Sequence, residues 1–195
     1  MSVEDDIRHL SDTLIGEILK AFGLPDSAGW HRRFGTFFSK ATGHLARIGL
    51  TFDRLIHEYG LPHAASWSLT NWCRDIIVRG QENIPEEGPL LVVSNHPGAY
   101  DALVVSAQLP RSDLRIIASD LPFLRALPNT SQRIFFIPPN IHNIAGRMSG
   151  MLSAVRYLKD GGAVLLMGSG TIDPDPAVSI LIVGIHIPER RSDPF

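Results

Sequence analysis

The second half of the chain alternates two kinds of apolar pattern, and this alternation restricts the fold more than any other feature. Short apolar runs of strand length occur at 90–93, 114–118, 134–137 and 163–167. Between them, 101–109 and 144–159 carry apolar residues at helical spacing, the second through Ile144, Met148, Met151, Leu152, Val155 and Leu158. Strand, helix and strand in this order require crossover connections, and crossovers build a mostly parallel sheet flanked by helices. The predicted class is α/β. The run Ile76-Ile77-Val78, closed by Arg79-Gly80, reads as one more strand before this series, and 180–187 as one after it.

The first half has a different texture. Val3, Ile7, Leu10, Leu14, Ile18 and Phe22 recur three and four residues apart, and Gly23-Leu24-Pro25-Asp26 stops that helix. A second helical stretch is read over 27–48, a third over 51–59 and a short one over 63–73. The division is therefore an N-terminal helical subdomain at 1–74 and an α/β domain at 75–195.

A chain of 195 residues fits one α/β domain with a helical extension. A formal charge of −2 argues against a nucleic-acid binder, which needs a basic stripe. Cys73 is the only cysteine, which excludes an internal disulfide and favours a reducing compartment. The N-terminus is acidic without an apolar signal core, and no apolar run reaches the roughly 18 residues needed to span a bilayer. The expected location is the cytoplasm, with any membrane contact peripheral.

The chemistry concentrates in Asn95-His96-Pro97-Gly98-Ala99-Tyr100-Asp101, directly after the run at 90–93. Pro97 and Gly98 turn the chain, and Asp101 opens a helix. Ligands in open α/β sheets bind at such strand ends. An imidazole titrates near neutrality and can take a proton from a hydroxyl. It does so best when a carboxylate accepts a hydrogen bond from its other nitrogen, fixing the tautomer and stabilising the imidazolium. The four residues between His96 and Asp101 let the chain fold back and join the two. The competing reading makes His96 a turn cap and Asp101 a helix N-cap.

The segment 77–103 resembles the opening of the glycerolipid acyltransferase family, which contains the glycerol-3-phosphate and lysophosphatidic acid acyltransferases. Val78-Arg-Gly-Gln-Glu-Asn-Ile-Pro85 and Gly88-Pro-Leu-Leu-Val-Val-Ser-Asn-His-Pro-Gly-Ala-Tyr-Asp101 follow its pattern. The resemblance implies that His96 is the general base for the acceptor hydroxyl and that Asp101 supports it. It also implies substrate contacts at Asn95, Pro97 and Gly98. The acyl donor would be a thioester of coenzyme A or acyl carrier protein, used as a co-substrate with no bound cofactor or metal. The implied setting is lipid metabolism and phospholipid biosynthesis.

The segment 161–171 resembles the strand and turn of the family's third motif, Phe-Pro-Glu-Gly-Thr-Arg-Ser. Gly170 and Thr171 keep that motif, and Ser169 replaces its Glu. Met167, Gly168, Ile172 and Asp173 replace its Phe, Pro, Arg and Ser. Ser169, Gly170 and Thr171 are the substrate-binding candidates at this second strand end. The missing Glu and Arg weaken the case for a phosphorylated glycerol and leave another lipid-like hydroxyl acceptor open. The family's second motif has an Arg shortly after a strand, whereas here Pro138 and Pro139 follow 134–137 and Arg133 precedes it. Family members usually continue for tens of residues beyond this point, so the α/β domain is read as C-terminally shortened.

These departures leave an alternative function: a catalytically impaired lipid- or acyl-binding protein that keeps the fold. A hydrolase using His96 and Ser169 is a weaker option. Asp173 and Asp175 read as a solvated turn rather than a metal pair. Trp30, Phe34, Phe37 and Phe38 read as core, or else as an apolar face that rests on a membrane between Arg32, Arg33 and Lys40.

Overall fold

The computed structural model describes residues 3–96, 98, 100–168 and 183–186. Helix α1 (Val3–Ala21), helix α2 (Ala28–Tyr59) and helix α3 (Leu61–Leu69) precede the first strand. Then follow β1 (Leu90–Ser94), α4 (Asp101–Gln108), β2 (Arg115–Ser119) and two one-turn helices, α5 (Pro122–Arg125) and α6 (Pro128–Ser131). The chain continues through β3 (Ile134–Ile137), α7 (Ile144–Lys159), β4 (Ala163–Met167) and β5 (Val183–His186). No helix among the described residues is long and apolar enough to cross a membrane.

The chain forms two compact units, Met1–Tyr59 with Leu121–Gln132 and Gly60–Asp120 with Arg133–Phe195. Residues 60–74 thus group with the sheet, and 121–132 with the N-terminal helices.

In the helical unit α1 and α2 form an antiparallel hairpin, joined across its middle by Ser11 Oγ donating to Thr42 Oγ1 at 2.7 Å. Leu10, Ala46 and Leu127 are its buried centre, with Ile7, Leu50, Phe123 and Ala126 packed around them. The helices expected at 27–48 and 51–59 are one helix, α2. No proline interrupts 48–51, and the bare Gly49 admits the Phe123 ring: a Cβ there would stand 3.0 Å from Phe123 Cζ. The buried Asp53 carboxylate accepts from Thr130 N–H and Oγ1, both at 2.7 Å, and from Asn129 Nδ2 at 2.9 Å. These bonds satisfy donors in the first turn of α6.

The second unit is a five-stranded sheet of order β3-β2-β4-β1-β5. Its first four strands are parallel, and β5 runs antiparallel to β1. The register pairs Leu90 with Ala163 and Ser94 with Met167, so β1 and β4 end side by side. The path from β1 to β2 and the path from β3 to β4 cross the sheet in opposite directions. Right-handed crossovers therefore put their helices on opposite faces. Helix α7 covers the face of Leu91, Ile117, Phe135 and Val164, through Ala154, Tyr157 and Leu158. Helix α4, with α3 stacked on it, covers the face of Val92 and Ser94.

Helix α7 has clear boundaries. Asn143 Oδ1 accepts from Gly146 N–H at 3.0 Å as the N-cap. At the other end Gly161 takes φ +95°, and Gly161 and Gly162 N–H groups bond back to the Leu158 and Tyr157 carbonyls. This left-handed exit favours glycine.

The loops that enter the strands are tied by Arg111, which is 3% exposed. Its guanidinium donates to the carbonyls of Pro85, Gly88 and Gly161 and pairs with Asp113 at 2.7 Å. The strand expected at 76–78 does not form. These residues are extended coil with no ladder partner among the described residues, and Ile77 is 88% exposed.

Candidate active site

Strand β1 ends at Ser94, and the chain turns through His96 and Gly98 into α4, whose first residue is Asp101. The Asp101 carboxylate folds back over this turn. Its Oδ2 accepts from His96 Nδ1 at 3.0 Å and from Gly98 N–H at 2.6 Å. The N-cap of α4 is Tyr100, without a side-chain cap bond, so Asp101 serves the imidazole rather than the helix end. Its negative charge in the first turn of α4 is also favoured by the helix dipole.

His96 and Asp101 are 25% and 22% exposed, open enough to meet a substrate yet partly shielded from solvent. With Nδ1–H donated to the carboxylate, the basic lone pair of the imidazole lies on Nε2. The pair can take a proton from a hydroxyl and hold the resulting imidazolium.

The neighbouring residues extend the site. Gly168 N–H donates to Ser94 O at 3.0 Å, which brings the end of β4 beside the end of β1. Asn95 Oδ1 is buried with no hydrogen-bond partner among the described residues. From Ser94 and Asp101 an apolar groove of about 270 Å³ runs between α4 and the segment 76–84, which is extended at 76–78 and makes a single 3-10 turn at Gln81–Asn83. Ile76, Val78, Val92, Val104, Val105 and Leu109 form much of its wall. The segment read as a strand is thus one bank of this groove. Trp72 stacks on Tyr100 beside the same turn, with ring centroids 4.8 Å apart and planes 17° from parallel.

Of the residues expected from sequence, His96, Asp101, Asn95 and Gly98 gather at one strand end. Pro97, Ser169, Gly170 and Thr171 lie outside the described residues, as do Ile172, Asp173 and Asp175. Arg133 lies at the entry to β3, where it donates to Ser112 O at 2.9 Å. Sequence reasoning missed Trp72 and Tyr100. Tyr100 sits inside the motif, but nothing in the chain links Trp72 to it before the fold is known.

The aromatic residues of α2 do not form core. Phe34 stacks on Phe38 at 5.5 Å and meets Trp30 edge-on at 5.8 Å, while Phe37 is 82% exposed. With Phe22, Leu24 and Arg33, the three Phe side chains line an open cleft of about 530 Å³ within the helical unit.

A mostly parallel sheet thus carries a His-Asp pair at a strand end with an apolar groove beside it. Residues 75–182, more than half of the chain, match the family model described as acyltransferase. The chain belongs to this glycerolipid acyltransferase-like family. Among curated proteins it is similar to an uncharacterized protein of Mycobacterium bovis and to uncharacterized proteins of two Mycobacterium tuberculosis strains. Each is 34% identical over 99 residues, covering 43% of this chain and 27% of the relative. The chain thus spans about a quarter of the length of the curated relatives it matches. No solved structure matches it.

Proposed function

We propose that this chain moves a fatty acyl group from a thioester, on coenzyme A or acyl carrier protein, to a hydroxyl of a glycerolipid-type acceptor. The observation that carries this reading is the 3.0 Å contact between His96 Nδ1 and Asp101 Oδ2 at the mouth of an apolar groove. His96 Nε2 takes the acceptor proton as the oxygen attacks the thioester carbonyl. The tetrahedral intermediate collapses by breaking the C–S bond, and the departing thiolate receives the proton from the imidazolium. General-base assistance of this kind is worth about 10²–10⁴ in rate.

The groove suits the acyl chain, because an alkyl chain leaving water for an apolar wall gains about 0.8 kcal/mol per buried CH₂. Asn95, at the turn, is placed to meet the polar part of a substrate, and its buried Oδ1 would gain a hydrogen bond from a donor on it. The proposed setting is phospholipid synthesis in the cytoplasm, with the acceptor drawn from a membrane that the protein touches peripherally.

The test is thiol release from palmitoyl-CoA by the purified chain, with lysophospholipids, glycerol-3-phosphate and monoacylglycerol as acceptors. Release that depends on one acceptor class, with the matching ester as product, supports the reading. Lipid binding without turnover would make the chain a binding protein. Release of free fatty acid without any acceptor would make it a hydrolase.

A further inference from the structure

Helix α7 presents an apolar stripe that the described residues leave exposed. Ile144, Met148, Met151, Leu152 and Val155 are 69%, 55%, 38%, 47% and 42% exposed, and Ile141 in the preceding loop is 69% exposed. At about 100° per residue these positions fall along one side of the helix. They lie next to the face that packs on the sheet, where Gly150 and Ala154 make the closest approach. Scattered exposed apolar residues are ordinary, but a continuous row of this kind marks a contact surface.

Charge identifies the contact. Arg156 and Lys159 are exposed beside the stripe toward the end of the helix, which itself holds no carboxylate, whereas Arg147 turns back to donate to Pro138 O at 3.0 Å. The whole chain is at −2, so this exposed pair of cations is a segregated charge rather than the average surface. A second copy would bring the same cations face to face, whereas an anionic lipid surface complements both the charge and the stripe.

We propose that α7 is an interfacial helix that lays its Ile/Met/Leu/Val stripe into an anionic lipid surface. The helix begins at the sheet edge where the parallel strands end, the same edge that holds His96 and Asp101. Docking there brings the active-site edge to the layer in which a lipid hydroxyl resides. The inference thus deepens the lipid-acceptor reading, but it is scored by binding alone. A chain that binds vesicles through α7 and transfers no acyl group would overturn the enzyme reading and leave this one standing.

The test is co-sedimentation of the full chain with vesicles of phosphatidylcholine alone and of phosphatidylcholine mixed with phosphatidylglycerol. The expected result is binding to the mixed vesicles at low salt, weakened as salt rises. Met148→Glu with Val155→Glu, at two exposed positions, lowers the partition constant at least tenfold with an unchanged melting curve. Arg156→Gln with Lys159→Gln lowers it about tenfold on mixed vesicles and not on phosphatidylcholine. Equal binding by wild type and both variants would overturn the proposal, as would no binding by the wild type. So would a wild-type dimer that the Met148→Glu, Val155→Glu variant splits. Loss of binding in Phe37→Glu alone would assign the lipid contact to α2 instead.

Discussion

Trp72 lies flat on Tyr100, the residue that leads directly into Asp101. The stack ties the end of α3 to the turn that presents the His-Asp pair. An aromatic pair contributes about 0.5–1.5 kcal/mol beyond its buried area. Trp72→Ala is therefore expected to lower turnover up to about tenfold by loosening the turn, with far-UV circular dichroism unchanged. Trp72→Phe keeps a ring in place and recovers most of the rate. Steady-state kinetics of the two variants checks this.

Asp101→Asn separates geometry from charge. Both contacts fall on Oδ2, so an Asn oxygen placed there keeps the Gly98 and His96 bonds but lacks the charge that holds the imidazolium, whereas the flipped amide would meet both groups with a donor. Turnover should fall between about a hundredfold and ten thousandfold, while the melting temperature moves by only a few degrees. The paired assay and melt distinguish this from simple unfolding.

Gly150→Ala tests how closely α7 sits on the sheet. A Cβ at this position would lie 2.5 Å from the Phe136 carbonyl oxygen and 2.7 Å from Ile137 Cδ1. The Ile137 methyl can swing aside, but the Phe136 carbonyl cannot retreat without shifting β3, so a loss of about 1–3 kcal/mol in denaturant unfolding is expected. Alanine is the better intrinsic helix former, so a gain in stability would show that the helix stands farther from the strand.

The Arg111–Asp113 pair contributes to acid stability. The hydrogen bond from Arg111 holds the Asp113 carboxyl below its ordinary value of 3.8, against the opposing effect of burial. Because the folded value is depressed, this contribution is complete above the ordinary value and drains away as pH falls through the folded one. Thermal melts should show an acid limb that Asp113→Asn makes shallower. Arg111→Ala should cost about 3 kcal/mol at neutral pH, because it strands the carbonyls of Pro85, Gly88 and Gly161.

The parts of the fold legible in the sequence are those whose signals are local. Pro138 closes β3, Gly161-Gly162 separates α7 from β4, and the structure keeps those elements where the apolar patterns put them. The His96–Asp101 contact was legible for the same reason, since both partners sit on one short turn. What escaped depends on distant packing. The break expected between 48 and 51 is absent, and Phe123 fills the space beside Gly49 there. Ile76-Ile77-Val78 has strand chemistry but finds no strand to pair with, and it became a groove wall. The stripe on α7 has the period of a core helix, and the pattern alone does not say that Gly150 and Ala154, rather than Met148 and Val155, face the sheet.

The most direct measurement is acceptor-dependent thiol release by His96→Ala beside the wild type, with both shown to be folded by the same melting curve. The account predicts measurable release from the wild type and a fall of at least about a hundredfold in the variant. Equal turnover by the two proteins would contradict it.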